Sequence, residues 1–321
     1  MATHTTTTTS TSTSPVVADA DDATIKTLLA SFLHNPALLE SFHVPRFKLR
    51  LATIRAWGVR EGDHLLDIGC GQGESSVALA ALVGDRGHVT AIDTASMDYG
   101  HPFTMRAAHD HLRQSALGPR VTFHQADAQS FFAEQQQTAP RLDAAVLCQS
   151  LFYFPGEHEV RALFATLRAA GTSPVYVAEW SYVPSREAQT AHALAATAQR
   201  LFYRYRYRPE AGREDPREQN VRGGVDKSAI LRAAAAAGYG LAREALITPE
   251  EDMREGEFEV RFTLGEVFRQ RVAEAELSGE QRAEIVAAIE KLEAEMKKEL
   301  YKDGTGIMSM DVWAAVFELD K

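Results

Sequence analysis

Apolar residues along this chain fall into short runs and helical stripes that take turns. Runs with the look of buried strands lie at 64–68, 88–93, 120–124, 141–148 and 175–180. Between them, 74–83 and 105–117 carry apolar residues at helical spacing. Strands alternating with helices over 64–180 predict an α/β fold with a doubly wound, mostly parallel sheet. Ligands then belong at the carboxyl ends of the strands. Further on, a helix at 226–237 stops at Gly238, a sixth strand is expected at 241–247, and an apolar seventh at 310–317 suits the sheet edge beside the fifth.

The flanking segments read differently. Residues 1–20 are rich in Thr and Ser and bury too little to offset their ordering entropy, so a disordered tail is expected there. Ile25, Leu28, Leu29, Phe32 and Leu33 mark one helix before the first strand. Phe47, Leu49, Leu51, Ile54 and Trp57 mark a second, which stops at Gly58. The whole of 21–321 reads as a single domain, with 21–60 as a helical N-terminal cap that either covers a ligand or simply packs on the sheet. His43, Arg46 and Lys48 on that cap could meet a ligand's carboxylate from there, with solvated surface as the leading reading. Residues 185–208 look helical and 209–224 like a polar loop, so 185–224 is expected to form a lid over the substrate. Before the last strand, 257–302 reads as an insertion built on one long helix. Ser278-Gly279-Glu280-Gln281 is a capping box, and Ile285, Ile289, Leu292, Met296 and Leu300 form one apolar face. That face is expected to pack on the domain or on a second copy of the chain.

The chemistry is concentrated in Asp67-Ile68-Gly69-Cys70-Gly71-Gln72-Gly73, at the end of the first strand. Its glycines let the backbone turn sharply and approach a ligand, and the helix behind aims free N–H groups at it. A dinucleotide fingerprint needs Gly at 74 or 76, where Glu74 and Ser76 stand, and a P-loop needs Gly-Lys-Ser/Thr, which is absent. An acid inside the strand end would repel a pyrophosphate and suits a ligand with an ammonium. Asp93 ends the second strand, where a carboxylate presents two oxygens to vicinal ribose hydroxyls.

This stretch resembles the first motif of class I S-adenosylmethionine-dependent methyltransferases. The resemblance implies a seven-stranded Rossmann-like methyltransferase sheet and S-adenosyl-L-methionine as cofactor. It also implies contacts from Asp67, Gly69, Cys70, Gly71, Gly73, Asp93, Thr94, Asp127, Ala128 and Gln149, with Asp127 receiving the adenine amine after the third strand. Asp98-Tyr99-Gly100, Gln149–Phe154, Ala178-Glu179-Trp180, Asn220-Val221-Arg222 and 309–313 are similar to a group of fungal small-molecule methyltransferases. That group has His-Ser where this chain has Gln149-Ser150, so a base at that position would be missing here.

Methyl transfer from a sulfonium is an in-line displacement, so alignment and water exclusion matter most and a base only where the acceptor must lose a proton. Tyr153, Glu179 and His192 are the candidate catalytic groups, with His101 further out. Tyr153, Trp180, His192 and Arg222 are the expected acceptor contacts.

Composition narrows the alternatives. A net charge of −10 argues against a nucleic-acid-coating surface, although Arg and Tyr alternate over 200–208. No run is long enough for a membrane span, there is no metal-ligand spacing, and the two cysteines are too few for a disulfide framework. A cytoplasmic enzyme acting on a small-molecule acceptor O, N or C is the leading expectation, with a homodimer through 257–302 as a possible assembly. The competing readings are another reaction in the same pocket, such as a cyclisation, and an RNA or protein methyltransferase.

Overall fold

A computed structural model describes residues 22–135, 141–154, 156–206, 224–304 and 306–320. Seven strands form one sheet: β1 (His64–Ile68), β2 (His88–Asp93), β3 (Val121–Gln125), β4 (Ala144–Cys148), β5 (Val175–Trp180), β6 (Tyr239–Ile247) and β7 (Val312–Leu319). Their order is β3-β2-β1-β4-β5-β7-β6. The first five pair in parallel, and β7 runs antiparallel between β5 and β6. The doubly wound, mostly parallel sheet expected from the alternation of elements is therefore present.

Both faces of the sheet are covered, and the period-two geometry of a strand decides which residue goes where. In β4, Ala144, Val146 and Cys148 enter one core, while Ala145 and Leu147 enter the other. The first core is closed by α1 (Asp22–Ser31), α2 (Val44–Trp57) and α3 (Glu74–Val83), the second by α5 (Ala128–Gln135), α6 (Glu157–Ala169) and α8 (Lys227–Ala236). A short α4 (Met105–Arg113) precedes β3.

The N-terminal cap packs on the sheet at one end and reaches the glycine loop at the other. At its C-terminal end Trp57 stacks on Tyr176 at 5.7 Å, and its indole N–H donates to Val177 O at 3.1 Å, pinning α2 to the sheet. The helix stops at Gly58, which adopts φ 77. Its N-terminal half instead reaches the glycine loop through Arg46 and Arg50, so the reading of Arg46 as solvated surface was wrong. Leu39–His43, just ahead, forms a π-helical turn that nothing in the sequence pattern announced.

The insertion also differs from expectation. In place of one long helix there are three: α9 (Glu255–Leu264), α10 (Glu266–Glu274) and α11 (Gly279–Glu295). Gly265 breaks the first junction with extended backbone, and the capping box starts the third helix as read, Ser278 Oγ accepting from Gln281 N at 3.1 Å. All three pack around α7 (Thr190–Arg206), the helix of the segment expected to close over the substrate. Ile285, Ile289 and Leu292 are buried against α7 within the same chain. The apolar face on which a dimer contact was expected is thus largely used internally. No described helix is long and apolar enough to cross a membrane.

Candidate active site

The loop after β1 turns through three left-handed glycines, Gly69 at φ 73, Gly71 at φ 52 and Gly73 at φ 93. Gly69 N and Cys70 N donate to Ile92 O at 2.9 and 3.1 Å, which ties the loop to β2. A Cβ at Gly69 would lie 2.6 Å from Ser150 Cβ, whereas one at Gly71 would meet nothing within 4 Å. Gly71 therefore borders an open cradle. Asp93 stands over it, Oδ2 accepting from Gly71 N and Oδ1 from Ala95 N, both at 2.8 Å.

Asp67 is fully buried, and its Oδ2 accepts from the hydroxyls of Ser75 and Ser76 at 2.7 Å each. Burial pushes its carboxyl up to about 6, and Oδ1 has no partner among the described residues. Gln149 Nε2 and Ser150 Oγ are likewise buried and unpaired. Donors and acceptors left open around the ends of β1 and β4 fit a ligand that carries both an ammonium and a carboxylate.

A second polar group lies where β4 and β5 end. The two non-glycine residues with left-handed backbone among those described, Gln149 at φ 52 and Tyr182 at φ 55, directly follow or closely follow these strands. Backbone held in that region costs about 1–3 kcal/mol and gathers at functional sites. Glu179 Oε1 accepts from Leu151 N at 2.7 Å and Phe152 N at 3.2 Å, while Oε2 is buried and unpaired. Burial pushes the Glu179 carboxyl up to about 8. Glu259 is also pushed up by burial, and its Oε2 accepts from Gln199 Nε2 at 2.7 Å. Tyr182 lies in the field of Glu179 and Glu259, and Tyr153 in that of Arg46, Glu255 and Glu259. Arg46 and Arg50 both reach Glu74 Oε1 at 2.8 Å. Burial opposes ionisation of Glu74, but the two guanidiniums outweigh it and hold its carboxyl below the usual range.

With this geometry in view, residues 65–171 match the family model described as a methyltransferase domain. Two curated relatives, the methyltransferases phomM and phomM' of Diaporthe leptostromiformis, are 36% and 35% identical over 93% of this chain and 90% of theirs. The chain is a methyltransferase of the S-adenosylmethionine-dependent family. A solved cyclopropane-fatty-acyl-phospholipid synthase-like protein from Lactobacillus casei ATCC 334 is also similar. It superimposes with a TM-score of 0.74 at 27% identity, covering 93% of this chain and all of that one.

In this methyltransferase most of the expected cofactor residues lie on the glycine loop and the neighbouring strand ends. Asp67, Gly69, Gly71, Gly73, Asp93 and Gln149 border the glycine loop or the strand ends beside it. Cys70 is buried in the loop, and burial raises its thiol far above the usual range. Asp127 is exposed and accepts from Ser130 N at 2.7 Å, so it also caps α5, whose first residue Ala128 is buried. Thr94 is exposed beside Asp93.

The acceptor residues need correction. His192 is 1% exposed, and its Nδ1 accepts from Met310 N at 2.9 Å. A neutral ring then carries its proton on Nε2 and has no lone pair left for a substrate proton. Burial lowers its pKa to about 3, so His192 is a structural ring and not a base. Trp180 is 7% exposed, meets His192 edge-to-face at 5.1 Å and belongs to the core beneath α2. It lies on the opposite sheet face from Glu179, away from the polar group at the ends of β4 and β5. Glu179 holds the turn after β4, and Tyr153, 48% exposed, is the accessible phenol of the set. Arg222 lies outside the described residues.

Arg50, Glu255, Glu259, Gln199 and Tyr182 went unnoticed in the sequence. They are single polar residues inside amphipathic helices or a loop, and only the packing of α2, α7 and α9 turns them inward. One signal was available: Arg50 stands among Leu49, Leu51 and Ala52, a charge inside an apolar stretch.

Proposed function

We propose that this methyltransferase acts on a small molecule through a basic nitrogen. The observation that carries the reading is a group of unpaired buried oxygens on Glu179, Tyr182 and the helices α7 and α9. Glu179 Oε2, Glu255 Oε2, Tyr182 Oη and Gln199 Oε1 are all buried oxygens without partners. The Gln199 and Glu255 oxygens accept, as does Glu179 when ionised, so they favour a ligand with N–H donors or positive charge, while the Tyr182 hydroxyl can either donate or accept. Phenols and carboxylic acids would bring more acceptors than donors to the same place.

S-Adenosylmethionine supplies, when bound, an activated methyl on a sulfonium. The chain's part is to hold the nitrogen in line, exclude water and remove a proton, since an ammonium has no lone pair to attack with. A carboxyl with a pKa near 8, as burial gives Glu179, is matched to that exchange near neutral pH. The helices α7 and α9, backed by α11, close over the polar group and keep it dry.

The test is a panel of small primary and secondary amines, phenols and carboxylic acids, followed by mass spectrometry for the gain of one CH2 and by S-adenosylhomocysteine release. Products from amines alone support the reading. Turnover confined to phenols or acids, or release of no S-adenosylhomocysteine with any product, refutes it.

A further inference from the structure

The glycine loop is tied to α4 as well as to β2. Gly71 keeps its left-handed φ of 52 with the peptide groups on both sides engaged. Its N–H donates to Asp93 Oδ2, and its carbonyl accepts from His109 Nε2, each at 2.8 Å. A carbonyl oxygen only accepts, so Nε2 carries the proton there. The other ring nitrogen, Nδ1, is buried and has no partner among the described residues. A proton on it would be an unpaired buried donor, and burial holds the ring's pKa below its usual range. The ring is therefore neutral, with its one N–H committed to Gly71.

The surroundings fix His109 in that position. The ring is 3% exposed and stacks on Phe123 of β3, with centroids 3.7 Å apart and planes 11° from parallel. The turn through Asp98-Tyr99-Gly100 sets the start of α4: Met105 N donates to Tyr99 O at 2.7 Å and Arg106 N to Met97 O at 2.9 Å. Gln72 Nε2 donates to Phe103 O at 2.6 Å, and Gly100, at φ 110, passes so close that a Cβ there would lie 2.9 Å from the same nitrogen. A Cβ at Gly73 would lie 3.2 Å from both Leu112 and Phe123. Gly71, Gln72 and Gly73 thus rest in turn on His109, Phe103 and Leu112.

We propose that His109 is a positioning residue for methyl-donor binding: it holds the Gly71 carbonyl so that the loop keeps its open cradle before the ligand arrives. It acts through the loop backbone. A loop already in its bound shape loses less of the binding energy to ordering.

Two substitutions divide the ring's functions. His109→Phe keeps a flat ring to stack on Phe123 and removes the donor. His109→Gln gives up the ring and keeps an N–H donor at the reach of Nε2. Both are compared with the wild type by calorimetric binding of S-adenosylhomocysteine, thermal melts and amide exchange of the ligand-free loop over 69–73. His109→Phe is expected to melt near the wild type yet bind about tenfold more weakly, the scale of one hydrogen bond, with faster exchange in the loop. His109→Gln is expected to bind and exchange like the wild type, whatever its melting temperature. Wild-type affinity in His109→Phe overturns the proposal, and so does equal weakening by both variants. The wild type alone supplies a further check: imidazole nitrogen NMR should find the His109 proton on Nε2, and a proton on Nδ1 overturns the proposal without any variant.

Discussion

Replacing His192 with Asn separates a buried structural ring from a catalytic base. The Asn oxygen can take the place of Nδ1 and still accept from Met310 N, but it does not titrate. In the wild type the ring's pKa is depressed from 6.5 to about 3 by burial. A depressed value means that the stability is fully present above 6.5 and is lost as pH falls toward 3. At pH 5.0 the folded ring stays neutral while the unfolded one is protonated. That is about 1.5 pH units of linkage at about 1.4 kcal/mol each, or about 2 kcal/mol lost relative to pH 7.5. His43, lowered to about 4 chiefly by burial, titrates in the same window but is common to both proteins and cancels in the difference. Urea unfolding of wild type and His192→Asn at pH 7.5 and 5.0 gives the number directly. The wild type's advantage should shrink by about 2 kcal/mol on acidification. An advantage that is constant or grows would refute the buried-neutral assignment. Loss of turnover in a variant with unchanged stability would restore His192 as a base.

The remaining expectations are read by simpler means. Asp93→Ala should weaken S-adenosylmethionine by about 1.5–3 kcal/mol for each charged hydrogen bond lost, measured by calorimetry. Unchanged affinity would remove Asp93 from the site. Gly71→Val should leave a folded protein with little cofactor affinity, because the side chain enters the open cradle and its φ of 52 is strained; paired melting and binding measurements check both halves. Trp180→Ala should cost about 3–5 kcal/mol of stability, as for a core indole, and a variant that melts like the wild type but fails to turn over would reinstate it as an acceptor wall.

The sequence by itself determined the sheet and the cofactor loop. Near-continuous apolar runs such as 64–68 and 175–180 can bury both faces only between helices, and glycines at 69, 71 and 73 behind Asp67 leave few ligands to choose from. These signals are local: each is written in consecutive residues and survives without knowledge of what packs nearby. The acceptor side was decided by the tertiary structure. His192 and Trp180 were close to the right strand in sequence, yet side-chain direction put Trp180 on the far face and sealed His192 under Met310. Arg50 meets Gln149 only because α2 closes on the end of β4, and Gln199 meets Glu259 only because α7 and α9 pack together. The reason is physical. A helix or strand declares its own period, but which of its polar residues loses water depends on the partner packed against it, and that partner is set by the whole fold.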